Sequence, residues 1–163
     1  MCSVSNNSGG VVIIPSMQNI SVRSNEREEM VEISAEVRAR LPDGAGVCVL
    51  FVQHTTCGLT INENADPDVK SDMLGWLKRL VPQFPTTRSP ETGADISQTG
   101  GESFFKHFEH NSDAHIKSSL VGSSVTVPFA DGKLLLGRWQ GIYLCEFDGP
   151  RERTVIVTVI GDK

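Results

Sequence analysis

Val47-Cys48-Val49-Leu50-Phe51-Val52 runs six residues without a polar interruption. A run of that length and β-branched content, closed by turn residues, is a strand rather than a helix. An unbroken apolar strand is expected to be buried on both faces, so the chain needs material on either side of a sheet. That material is unevenly divided. Pro67 to Val81 is the main helical segment: Asp66 is a cap, Pro67 takes the first helical position, Val69, Met73, Trp76, Leu77, Leu80 and Val81 recur at helical spacing, and Pro82 stops it. Much of the remainder reads as strand, in Val11 to Ile14, Met17 to Arg23, Met30 to Ile33 and Leu59 to Ile61. Between the last two, Ser34 can cap a short helix from Ala35 to Leu41, and Cys57-Gly58 marks a turn. The final third, Ser123 to Pro128, Lys133 to Gln140, Gly141 to Phe147 and Arg153 to Ile160, is expected as an antiparallel meander turning at Asp131-Gly132 and Asp148-Gly149-Pro150.

At 163 residues the chain is the size of one domain. Residues 1–10 are Ser/Asn/Gly-rich and read as a flexible tail without a secretory signal, leaving 11–163 as the domain. Residues 82–102 have loop composition over a length unusual inside a domain and read as an insertion, followed by Phe104, Phe105 and Phe108 as anchors. A net charge of −5 with no Lys/Arg run argues against nucleic acid. No apolar run is long enough to cross a bilayer, and scattered cysteines without a CxxC pair fit a reducing, cytoplasmic setting.

Two polar stretches are too rich in chemistry for plain scaffold. The apolar run delivers Gln53-His54-Thr55-Thr56 at its carboxyl end, a common place for a site. Farther on, His110 to Gly122 packs two histidines, Asp113, Lys117 and several hydroxyls around a predicted two-turn helix with Asp113 as cap and Gly122 just past its end. The start of that helix favours an anion, with Ser112, Lys117, Ser118 and Ser119 as further donors. His110 and His115 would lie about 140° apart on one helix, so they converge only with His110 in the preceding loop. With His54 they then form a candidate set for a divalent metal, zinc or magnesium, with His107 as a rival ligand. For any one histidine taken alone, an ordinary hydrogen-bonding role is the better reading. Among the carboxylates, Glu63 stands in the polar cluster Asn62-Glu63-Asn64, and Glu146 in an otherwise apolar strand, where facing inward would require a partner such as Arg138 or Arg151. Cys57, three after His54, raises a Cys/His nucleophile, against the simpler reading of a small buried thiol.

The strings His54 to Asn64, His110 to Gly122 and Gly137 to Arg151 together resemble the YjbQ-like family. The resemblance runs from about Ile20 to the C-terminus and rests on three long motifs in the right order. It departs at Cys57, where many relatives carry Ala, and in 82–102, which is longer than the usual link. It implies an α+β single domain with a mixed, strongly curved β-sheet, one main helix and short helices, a pocket near the matching histidines and a homotrimer. Members are often named secondary thiamine-phosphate synthases, a reaction that joins a pyrimidine pyrophosphate to a thiazole phosphate. The expectation is therefore a cytoplasmic enzyme acting on a small anionic metabolite, with no nucleic-acid or membrane partner. Glu63, His54 and His115 would be catalytic, Asn64, Asn111, Ser112 and Lys117 would bind substrate, and His54, His110 and His115 would hold the metal. The rivals are a non-catalytic metabolite- or metal-binding trimer and a purely structural trimer. Trimerisation has a physical motive as well, because one long helix covers only part of such a sheet.

Overall fold

The structure is a computed structural model that describes residues 16–83, 87–88, 95–96 and 105–161. The expected tail at 1–10, the strand Val11 to Ile14, the anchor Phe104 and most of 82–102 lie outside those residues. In chain order the elements are β1 (Ser16–Arg23), β2 (Glu29–Glu32), α1 (Ser34–Arg38), β3 (Ala45–Val52), β4 (Cys57–Glu63), α2 (Pro67–Leu80), β5 (Thr87–Arg88), β6 (Asp95–Ile96), α3 (Ser112–Val121), β7 (Ser124–Ala130), β8 (Lys133–Leu134), β9 (Gln140–Glu146) and β10 (Glu152–Gly161).

Three layers result. A five-stranded sheet, β1-β10-β3-β7-β8, faces a three-stranded sheet, β2-β9-β4, and β5 and β6 make a separate two-stranded pair. Ile20, Leu50, Val127 and Val157 from the first sheet and Leu59, Ile142 and Leu144 from the second close one core between them. The other face of the small sheet carries Met30, Tyr143, Cys145 and Phe147 against Ala114 of α3 and Met73, Leu74 and Leu77 of α2. The class is α+β, and every ladder among the described strands is antiparallel rather than mixed.

β3 is not buried on both faces. Cys48, Leu50 and Val52 point into the core, whereas Val47 and Phe51, 36% and 44% exposed, point out. Among the described residues the five-stranded sheet is covered on one face only, so an unbroken apolar run here means an apolar outer surface. The strand buried on both sides is β9, from Gly141 to Glu146. It lies at the centre of the small sheet, between the large sheet and the helices.

The last third is a meander only where β7 and β8 join through Asp131 and Gly132, both at positive φ as a tight Asp-Gly hairpin requires. β9 then crosses to the small sheet, and β10 returns between β1 and β3. α2 starts and stops as its sequence signals, with Asp66 Oδ1 accepting from Asp68 N–H at 2.9 Å and Val81 as the residue after it. Two helix starts shift, α1 by one residue and α3 by two. α1 begins at Ser34 instead of being capped by it, because the Ser34 hydroxyl accepts from Ile142 N–H at 2.8 Å where the β2–β9 ladder ends. α3 begins at Ser112, with Asn111 before it, so Asp113 lies inside the first turn.

Candidate functional site

Strand β3 ends at Val52, the chain turns at Thr55-Thr56, and β4 starts at Cys57; the expected Cys57-Gly58 turn is therefore part of a strand. The last turn of α3 is seated on it. Val52 N–H donates to Ser123 O and Leu59 N–H to Gly122 O, both at 2.9 Å, and the Ser118 hydroxyl donates to Cys57 O at 2.7 Å. Gly58 permits this approach, since a Cβ there would come within 2.7 Å of Gly122 O.

The cleft between the Gln53–Thr56 turn, α3 and the corner leading into β10 has two lobes. A polar lobe of about 290 Å³ is lined by His54, Asn111, His115, Asp148, Arg151 and Arg153 among others. A lobe of about 690 Å³ shares Gln53, His54, Thr55 and His115 with it and continues over Phe51, Val52, Ser118 and Ser119. A third cavity, about 490 Å³, lies beyond His115 along Phe105, His107, Ser112 and Ile116. His115 lines all three, and its ring meets that of His107 edge-on at 5.4 Å.

The protonation of His54 follows from one contact. Its Nε2 is 2.9 Å from the backbone N of Thr154, a group that only donates, so Nε2 accepts and the ring proton belongs on Nδ1. Burial, then the Arg153 cation, hold the His54 pKa below the ordinary histidine value, with Glu146 pulling the other way. A neutral His54 in this tautomer has no lone pair left for a metal. His110 sits in the loop before α3 at φ 56, exposed, and lines none of the three cavities. Among the described residues, no three His, Cys, Asp or Glu side chains gather as a metal site, so the expected His54, His110 and His115 set is not assembled.

Two buried charge groups brace the cleft. Glu146 is fully buried and forms a two-pronged pair with Arg153, Nε to Oε2 at 2.6 Å and Nη2 to Oε1 at 2.5 Å, while Ser24 and two backbone N–H groups complete its bonding. Burial alone would raise the Glu146 pKa, but Arg153, the Asp148 N–H and Ser24 outweigh it and hold it low. The partner is thus Arg153 rather than Arg138, which stacks on Trp139, or Arg151. On α3, Asp113 takes Arg27 through both oxygens at 3.0 and 3.1 Å and Lys117 at 2.9 Å, and Lys117 also reaches Glu28 at 2.8 Å. Lys117 is fully buried between those carboxylates, so its ammonium is not available to a substrate anion. Asp113 cannot cap α3 for the same reason.

Of the remaining expected residues, Asn111 lines the polar lobe and Ser112 the third cavity. Glu63 and Asn64 sit elsewhere. Glu63 ends β4, opposite Gln140, and the Tyr143 hydroxyl lies 3.1 Å from both Glu63 O and Asn64 Oδ1. Glu63 lies six positions along β4 from Cys57, roughly 20 Å at the rise of an extended chain, so one molecule does not bring Glu63 to His54. Cys57 is buried, and that burial pushes its pKa up to about 11, which makes it an inert thiol. Arg153, Asp148 and Glu109 escaped sequence reasoning. Arg153 alone carried a signal, because it falls on the face of β10 that Val155, Val157 and Val159 bury.

A family model described as "UPF0047 protein YjbQ-like" matches residues 18–162. UPF0047 protein MJ1081 of Methanocaldococcus jannaschii is 43% identical over 156 residues, covering 94% of this chain and all of that protein. UPF0047 protein YugU of Bacillus subtilis is 40% identical, over 89% of this chain and 99% of its own length. Among solved structures, a conserved hypothetical protein of Thermus thermophilus superposes with a TM-score of 0.73 at 40% identity, covering 87% of this chain and 98% of that one. A YbjQ-like protein of Sulfolobus solfataricus gives 0.75 at 26% identity, covering 93% and 100%.

Proposed function

The chain belongs to the YjbQ-like UPF0047 family, and on that footing we propose that it is a cytoplasmic enzyme acting on a small phosphorylated or otherwise anionic metabolite in the cleft of His54, His115 and Arg151. The observation that carries this reading is the convergence of two imidazoles and two guanidiniums on one cleft of about 290 Å³. Arg151 is held at the rim by Asp148, its Nη2 2.8 Å from Oδ2 and its Nε donating to the Asp148 carbonyl, but unlike Lys117 its side chain is 53% exposed, and its open side is the counter-ion for the anion. Arg153 is committed to Glu146 and Thr56 and holds the wall in place. His54 offers its Nδ1–H as a neutral donor, and His115, common to all three cavities, is the group for proton transfer. Buried free thiols at Cys48, Cys57 and Cys145 support the reducing compartment.

The specific reaction to try is formation of thiamine phosphate. Joining a pyrimidine pyrophosphate to a thiazole phosphate breaks a carbon–oxygen bond and releases pyrophosphate, so the protein's task is to hold anions and neutralise the leaving group. Arg151 and the His54 Nδ1–H suit that task. A second reading, a binding module without turnover, is favoured by one feature: Asp148 and the Glu146 behind the wall have close partners already, which leaves the half-exposed Glu109, 3.5 Å from His107, as the lobe's one loosely held carboxylate among the described residues. Turnover separates the two. Purified protein supplied with both substrates should release pyrophosphate, and His115→Ala should lower that rate at least about tenfold. Activity that survives His115→Ala would remove this cleft from the reaction.

A further inference from the structure

One side-chain amide in the cleft wall is satisfied at one end only. Asn111, directly before α3, is 6% exposed and lines the polar lobe. Its Nδ2 donates to Asp148 Oδ2 at 3.0 Å and toward Glu109 Oε2 at 3.4 Å. Carboxylates only accept, so these contacts fix which end of the amide is nitrogen. The other end, Oδ1, is buried and has no hydrogen-bond partner among the described residues. In this position an Asn oxygen usually accepts from an N–H in the first turn of the following helix. Here it does not, and the N–H groups of Ala114 and His115 go to the Asn111 carbonyl instead. A buried acceptor left alone is costly, so this oxygen marks where a donor from outside the chain is wanted.

The charges around it agree. Arg151 and Arg153 are balanced in the same lobe by Asp148 and Glu109. A bare anion would meet as many carboxylates as guanidiniums, whereas a ligand with a negative end and a donor end matches both walls. We propose that the cleft selects a small anion that also carries an N–H donor, an amine or amino group, which bonds to Asn111 Oδ1 while the anionic end faces Arg151. This inference rests on the reading of the cleft as an anion site.

Three probes that share an ethyl phosphate frame separate the two ideas when titrated calorimetrically into the full chain. Phosphoethanolamine has both ends, ethyl phosphate lacks the amine, and phosphocholine keeps the positive charge but has no N–H. Phosphoethanolamine should bind about tenfold more tightly than either of the others. Asn111→Leu should bring all three within about twofold of one another, and Asn111→Asp, which keeps an acceptor oxygen in place, should preserve the order. Equal binding of ethyl phosphate and phosphoethanolamine overturns the inference and leaves the anion site standing. Binding of none of the three overturns both. Phosphocholine matching phosphoethanolamine, or a preference that persists in Asn111→Leu, rules out the Asn111 N–H contact. The wild-type comparison decides the matter even where a variant does not fold.

Discussion

His54 links the fold to the chemistry through a single hydrogen bond from Thr154 N–H. Burial first and the Arg153 cation second disfavour the imidazolium in the folded chain, in keeping with a bond that needs the Nε2 lone pair, so the unfolded chain binds a proton more readily. The His54 contribution to stability is therefore complete above the unfolded value of 6.5 and declines as pH falls from there toward the lower folded pKa. Nitrogen-detected imidazole spectra should show His54 as the Nδ1–H tautomer at neutral pH and, as pH falls, taking up its second proton at lower pH than an ordinary histidine does. An Nε2–H tautomer would contradict the assignment. His54, His115 and Asn111, singled out in the sequence, line one cleft, and they could be singled out because polar groups at the end of an apolar strand and before a helix have few structural duties. Lys117 and Glu63 line none of the three cavities, since nearness in sequence reports neither where a strand carries a side chain nor which partner already holds it. Lys117 meets Glu28 and Arg27 meets Asp113 across more than eighty residues, and no spacing rule reports such pairs.

Helix α3 is nearly without an apolar face, and what fastens it is the chain of contacts from Arg27 and Glu28 through Asp113 and Lys117, together with Ser118 on Cys57 O. Removing one member of a buried charge set leaves the others unpaired. Lys117→Ala should accordingly lower unfolding stability by about 3–5 kcal/mol in a denaturant titration. A loss of ligand affinity with unchanged stability would instead return Lys117 to a binding role. The elements themselves were largely legible: α2 with its Asp66 cap, the Asp131-Gly132 hairpin and most strands stand where period and turn residues place them. Which strand becomes central was not. Six apolar residues suggested β3, yet β9, which carries a buried glutamate, is the one covered on both faces. Hydrophobicity reports what a face can tolerate, while the number of layers packed on it depends on the whole topology.

At the scale of the molecule, the outer face of the five-stranded sheet leaves Met17, Val47 and Phe51 exposed, and no described element lies over them. The homotrimer remains our proposal, supported by that uncovered apolar surface. Light scattering at micromolar concentration should then return about three times the 17.7 kDa chain mass, and a monomer would exclude it. The central claim is that ligand is held at the His54 end of the domain and not at the Glu63 end. Calorimetric titration of pyrophosphate into the wild type, Arg151→Gln and Glu63→Gln tests it directly. The account predicts one site per chain, weakened at least about tenfold by Arg151→Gln and changed by no more than about twofold by Glu63→Gln. The reverse pattern, with Glu63→Gln abolishing binding and Arg151→Gln leaving it intact, would contradict it.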